Sequence, residues 1–419
     1  MKKRILIYYN RLREQLWFRP FLFCLFSVFG ALLAHQADGI GINDLVPNID
    51  KESIEGLLDT ISASMLVISI FAVASMLSAF SSASSTATPR SFKIVITDDV
   101  SQNALSIFIG AFIFSIVATI ALDNGYYDKA GRFILFLFTL LLFAVVILIF
   151  LRWVNRISRL GRLEHTISQV ETVVAKTLSA YIKDPCLKAR PIKGEFHGGI
   201  TVYANCVGYV QNLNLDAIQI LAEEKELHIR LNCLPGKFVN KNFAIAQFSS
   251  DQNVDETQIQ KSICEAIIIG NTRLFDEDPR FGLISLTEIA SRALSPGIND
   301  PGTAIQIIGS HERLFFLWQK EIGNGNEKEV TYNRIEVPKI SMEDFFDDAF
   351  RPIARDGADN IEVMLRLQKA FSSIATINNS EIKEIAKRHS KSSYERAEKA
   401  IEFEQDRNIL LKQSLFKNK

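Results

Sequence analysis

Charge is missing from four stretches of this chain. Phe21–Ala34, Ile61–Phe80, Ala104–Leu122 and Phe133–Leu151 hold no Asp, Glu, Lys, Arg or His. A bilayer core about 30 Å thick takes about 20 apolar residues in a helix. Three stretches approach that length as they stand, and the first does once Trp17–Pro20 and the residues out to Ala37 are counted. The absence excludes a wholly soluble chain. It also argues against a proton- or sodium-coupled carrier, which keeps ionisable groups near the bilayer midplane. A channel stays open.

Other absences narrow the reading further. Lys and Arg total 47, Asp and Glu total 47, and no basic excess remains to hold nucleic acid. The five cysteines, Cys24, Cys186, Cys206, Cys233 and Cys264, form no Cys-x-x-Cys pair, which fits free thiols in a reducing compartment. The six histidines show no metal-ligand spacing, so no metal site and no cofactor is expected. No nucleophile–base pair, phosphate-binding Walker loop or two-histidine motif is present either, so no catalytic residue is assigned.

What is present divides the chain. Before about Trp153 it is apolar; after it the composition is that of a soluble protein. Lys2, Lys3, Arg4, Arg11, Arg13 and Arg19 precede the first stretch, and Arg152, Arg156, Arg159 and Arg162 follow the fourth. Positive flanks face the cytoplasm, so both termini are expected there. The first loop, with Asp38, Asp44, Asp50, Glu52, Glu55 and Asp59 against Lys51, is expected outside; Arg90 and Lys93 mark an inner loop. Arg132 alone runs against the pattern. His35 and Gln36 spoil a cleavage site near Ala34–Ala37, so the first stretch is expected to stay.

Small residues recur four apart in the spans: Ser75 with Ala79, Ser78 with Ser82, and Ser106 with Gly110. Such ridges let helices approach closely in lipid. They serve tight packing, within the bundle or between subunits of a homo-oligomer, or they line a pore with hydroxyls.

The expected fold is therefore a four-span α-helical membrane domain with a cytosolic α+β region. Its parts are residues 1–153 as the transmembrane domain, 154–182 as a connecting amphipathic helix, 183–250 as a small β-rich domain, 251–390 as a helical domain and 391–419 as a charged helical tail. Ile157, Leu160, Leu163, Ile167, Val170 and Val174 carry the connecting helix at three- and four-residue spacing. In the β-rich part, GYVQNL reads as a strand leading to a short helix, and HIRLNCLPGKFVNKNFAIAQF as strands turned by Pro235-Gly236. The pattern looks like a small barrel or sandwich of the lipoyl-carrier type, without an attached cofactor. Asp255–Gly270 has helical spacing.

The most distinctive string is NTRLFDEDPRFGLISLTEIASRALSPGINDPGTAIQII. Leu283, Leu286, Ile289, Ala290, Ala293 and Leu294 give one helix an apolar face, and Ser295-Pro296-Gly297 ends it. Asp300 before Pro301 signals the start of the next helix. Two readings stand side by side. The segment is a rigid helix–turn–helix with a capped second helix, or Arg273, Asp278, Arg292, Ser295, Asn299, Asp300 and Thr303 converge on a ligand such as an anion or a metal-bound phosphate.

RALSPGINDP followed by a Thr-Ala pair resembles the bacterial membrane proteins grouped as domain of unknown function 2254. TPRSF, GYVQ at Gly208–Gln211, PGKFV at Pro235–Val239, Arg273 and DPRFG at Asp278–Gly282 extend the resemblance over nearly all of the chain. Lys237 stands where the family has Asp, and Gly302 where it has a bulkier residue. The resemblance implies four N-terminal spans and a large soluble tail, and points to no particular activity. Three functions follow from the sequence: an oligomeric channel or gated pore with a cytosolic regulatory part, a membrane-anchored scaffold or ligand sensor without transport, and a membrane-tethered enzyme. The bilayer and further copies of the chain are the expected partners.

Overall fold

The computed structural model describes residues 17–40, 46–91, 99–159, 162–196, 198–250, 252–322 and 330–417. Lys2, Lys3, Arg4, Arg11, Arg13, Asp44 and Lys93, used above to orient the spans, lie outside the described residues. The chain forms two compact units, Met1–Thr166 and Ile167–Lys419.

The first unit holds α1 (Phe18–Leu33), a short 3₁₀ helix (Ala34–Ile40), α2 (Lys51–Thr86), α3 (Asp99–Asp123) and α4 (Lys129–Ile157). Each α-helix is part of a segment long and apolar enough to cross a membrane. α3 is the central one: 50% of its apolar window is buried, against 11% for the first segment and 17% for α4. Both α1 and α2 pack on it. Gly110 explains the close approach of α1, since a Cβ there would meet Ser27 Oγ at 3.0 Å and Phe23 Cβ at 3.3 Å. The hydroxyls of Ser106 and Ser115 donate to their own helix, to Gln102 O at 2.6 Å and Ala111 O at 3.0 Å, so they are satisfied without water.

Two apolar layers fill the bundle. One contains Met65, Met76, Leu105, Phe108 and Trp153; the other contains Ile54, Leu58, Phe114, Leu122 and Leu135. Asp38 ties the loop after α1 to the start of α4, accepting from Gly131 N at 2.7 Å and Asp128 N at 3.0 Å. A carboxylate there satisfies donors that a helix N-terminus leaves free.

The second unit begins within α5 (Leu163–Lys183) and continues through β1 (Ala189–Pro191), β2 (Ile200–Tyr203), β3 (Gly208–Leu213), α6 (Leu215–Glu224), β4 (Leu227–Leu231), β5 (Phe238–Val239) and β6 (Ala244–Ser250). Then come α7 (Glu256–Ala266), β7 (Ile267–Gly270), α8 (Pro279–Ala293), α9 (Pro301–Ile322) and β8 (Tyr332–Val337). The chain closes with α10 (Met342–Asp356), α11 (Ile361–Ile374), α12 (Ser380–Ala400) and α13 (Glu404–Gln413).

Several expectations need correction. The β region is not a closed barrel among the described residues. It is an open five-stranded sheet, ordered β1-β8-β4-β6-β2, and an open three-stranded sheet, ordered β5-β3-β7. β8 pairs parallel with β1 and β4, while the other pairings are antiparallel. Strands β7 and β8 thus join the β region from beyond residue 250. Helical spacing over Asp255–Gly270 holds only to Ala266; Ile267, Ile268 and Ile269 then pair with β3. Three consecutive β-branched residues favour a strand over another helical turn. The connecting helix, whose Leu160 lies outside the described residues, does not run on unbroken from α4 among the described residues. α4 ends at Ile157, where Ser158 donates its N–H to Val154 O at 3.2 Å, and α5 starts at Leu163.

Helix starts in this unit follow the sequence closely. Asn214, Asp255, Asp278, Ser341, Asn360 and Asn379 each accept a backbone N–H three residues on. The helices pack around Phe315, Phe345, Phe346, Phe350 and Phe371, all fully buried.

Candidate functional site

The distinctive string occupies the two ends of α8. At the N-terminal end, Asp278 caps the helix, accepting from Phe281 N at 3.1 Å. Its carboxylate is 2% exposed and takes both a 2.6 Å bond from Arg273 Nε and a 2.9 Å bond from Arg273 Nη2. The guanidinium also lies over the Phe281 ring, 5.2 Å from its centre. The Pro235-Gly236 turn rests on the same carboxylate. Gly236 has φ +92°, and a Cβ there would collide with Asp278.

That turn is held by β3. Gly236 N donates to Val210 O at 2.8 Å, and Val210 N to Lys237 O at 2.9 Å. Gln211 Nε2 reaches Thr272 O at 2.7 Å. GYVQ, PGKFV, Arg273 and DPRFG, scattered along the chain, therefore meet at one point. Arg280 continues the network outward, pairing with Asp348 at 2.6 Å and Asp344 at 3.2 Å.

At the C-terminal end of α8 the chain closes on itself. Asp300 N donates to Ala293 O at 2.8 Å, and Asn299 N to Ser295 O at 2.9 Å. Ser295 Oγ donates to Arg292 O at 2.6 Å. Asn299 takes φ +50°, a left-handed conformation that Asn tolerates better than most residues. Asp300 caps α9, accepting Thr303 N at 3.1 Å and Thr303 Oγ1 at 2.6 Å. The Thr303 hydroxyl and then its backbone N–H hold the Asp300 carboxyl below its usual range, and partial burial opposes them weakly. Pro296, Gly297, Ile298 and Asn299 are exposed.

The seven residues proposed to converge fall into two groups. Arg273 pairs with Asp278, while Arg292, Ser295, Asn299, Asp300 and Thr303 share the loop. The groups lie at opposite ends of α8, whose 15 residues span roughly 22 Å of helix. In the first unit, Ser106, Gly110 and Ala79 are buried and Ser75 is half-buried, while Ser78 and Ser82 are exposed.

Other residues escaped the sequence reading. His311 is wholly buried, with Nε2 3.0 Å from Thr287 Oγ1, and Thr287 Oγ1 donates to Asp348 O at 2.7 Å. Burial pushes the His311 imidazole down to about 3, which favours its neutral form at ordinary pH. One group of metal-ligating side chains is also brought together among the described residues: Glu343, Asp347 and His389. Burial pulls His389 below its usual value, against the opposing pull of Glu343 and Asp347. Only the fold could reveal this group, because His389 is remote in sequence from the other two.

Four membrane-length helices in one unit, and two sheets with a helical bundle in the other, define the class: a membrane protein with a large second unit outside those four helices. The chain belongs to the family of predicted membrane proteins known as domain of unknown function 2254, whose model matches residues 13–373. It is 31% identical over 104 residues to uncharacterized proteins of Mycobacterium bovis and Mycobacterium tuberculosis, a match covering 24% of this chain and 20% of theirs. The chain thus spans about a fifth of the length of those curated relatives. No solved structure matches it significantly.

Proposed function

We propose that this is a bacterial inner-membrane protein whose four helices anchor a cytoplasmic scaffold or ligand sensor without conducting. The observation that carries this reading is the filled interior of the bundle. Trp153 is wholly buried, with Phe108 6.1 Å and Phe150 6.2 Å from it between ring centres. Such packing within a single copy supports an anchor over a pore. Arg19 in the first turn of α1, with Arg152, Arg156 and Arg159 around the end of α4, supports cytoplasmic termini. Ligand recognition, in this reading, belongs to the C-terminal end of α8, where half-buried Arg292, Ser295 and Asp300 lie beside exposed Asn299 and buried Thr303. Arg273 and Asp278 are already committed to each other.

Full-length protein in liposomes tests the anchor. No ion or solute flux is expected under voltage or osmotic load, and reproducible flux would sink the reading. One observation favours the second reading, an oligomeric channel: Ser78 and Ser82 face outward on α2, a surface suited to contact with another copy. Ser78→Cys should then cross-link between copies in native membranes, and the same oligomer should conduct in liposomes.

A further inference from the structure

Three side chains with good metal-ligating chemistry meet on two neighbouring helices of the soluble unit. Glu343 and Asp347 are one helical turn apart on α10 and share a face. His389 comes from α12, which packs against α10. One ligand atom from each lies within 4.8 Å of the others. His389 Nε2 is 3.3 Å from Glu343 Oε1 and 3.6 Å from Asp347 Oδ1. Ligand atoms bound about 2.1 Å from an ion stand about 3.0–3.4 Å from one another, so small side-chain rotations would admit one.

The arrangement differs from an ordinary surface ion pair in three ways. The His389 side chain is only 11% exposed, and Asp347 Oδ1 is buried with no hydrogen-bond partner, a costly state for a carboxylate oxygen. Each carboxylate is also held from behind. Arg388 binds Glu343 Oε2 and Arg351 binds Asp347 Oδ2, which leaves Oε1 and Oδ1 turned toward the imidazole. Outer partners of this kind orient ligating groups. Finally, an apolar wall backs the imidazole, with Phe346 5.3 Å and Phe371 6.1 Å away between ring centres.

We propose that Glu343, Asp347 and His389 bind one divalent transition-metal ion, with water completing its coordination. One imidazole with two carboxylates suits zinc, manganese or iron(II) better than magnesium or calcium, which prefer oxygen ligands alone. Arg388 and Arg351 oppose a cation only weakly, because their side chains are 64% and 58% exposed and their charge is screened. Metal binding here is independent of whether the four helices anchor or conduct. His389 lies beyond the stretch matched by the family model, which ends at residue 373.

The test uses full-length protein in detergent, stripped with a chelator and titrated calorimetrically with Zn²⁺ or Mn²⁺ alone. One saturable ion per chain and a raised melting temperature are expected. His389→Ala and Asp347→Asn should each weaken affinity at least about tenfold, while His228→Ala, exposed on β4, should leave it unchanged. Should either core variant fail to fold, Glu343→Gln decides, since that side chain is 40% exposed and its loss is tolerable for the fold. The proposal is overturned if wild-type protein takes up neither ion. Unchanged affinity in Glu343→Gln overturns it equally, and would show the cluster to be an ion-pair network only.

Discussion

The two ends of α8 are held by opposite means. At one end, a buried carboxylate is matched by a guanidinium and covered by a turn from a distant strand. At the other, an exposed loop satisfies much of its own backbone through bonds within a few residues. Both belong to one continuous string of sequence, so proximity in the chain does not make them one site. The difference teaches where damage should spread. Disturbing Asp278 reaches β3, β5 and β7 at once, whereas disturbing Asp300 should stay local.

The largest expected effect comes from Arg273→Ala. It leaves the Asp278 carboxylate, 2% exposed, without its counter-charge, and removing one partner of a buried pair costs about 3–5 kcal/mol. Chemical denaturation of the full-length protein measures it. The double variant Arg273→Met, Asp278→Asn keeps a cap and removes both charges, so it should recover most of the loss. Gly236→Ala follows, at about 1–3 kcal/mol for a strained left-handed position, with added collision against Asp278. Asp300→Ala should cost about 1 kcal/mol, the usual value of a helix cap. Equal losses at Arg273 and Asp300 would erase the contrast between the two ends.

The smallest effect is on pH dependence. The Asp300 carboxyl is held below its usual value by Thr303, so the folded state favours its charged form. Its contribution is complete above the unfolded value of about 3.9 and is lost as pH falls through the lower folded value. Comparison of wild type with Asp300→Asn should therefore show a stability gap at neutral pH that closes under acid. A gap that widens as pH falls would mean that Asp300 is stabilised in its protonated form.

Legibility in the sequence followed the range of the interactions. The spans were readable because an uncharged apolar run has few other uses; Asn214, Asp278 and Asn360 also cap helices within three residues of themselves, though only Asp300 was read as a helix start. The Asp300–Pro301 start was equally local. What could not be read depends on pairing at a distance. Nothing near Tyr332 announces that it lies beside Ala189, and nothing in Gln211 announces Thr272. The change from helix to strand at Ile267 needed β3 as a partner to become visible. Glu343, Asp347 and His389 were hidden for the same reason.

Strand β8 has a consequence for synthesis. It lies between β1 and β4, yet it is made only after α8 and α9. While the ribosome produces those helices, the facing edges of β1 and β4 wait without the strand that belongs between them. Open edges recruit other strands, and pairing over such a separation in sequence is slow to form. A nascent chain stalled or cut before Tyr332 should therefore aggregate through β4 although much of its sheet has already been translated. The five-stranded sheet is therefore completed late, well after the four membrane-length helices have been translated.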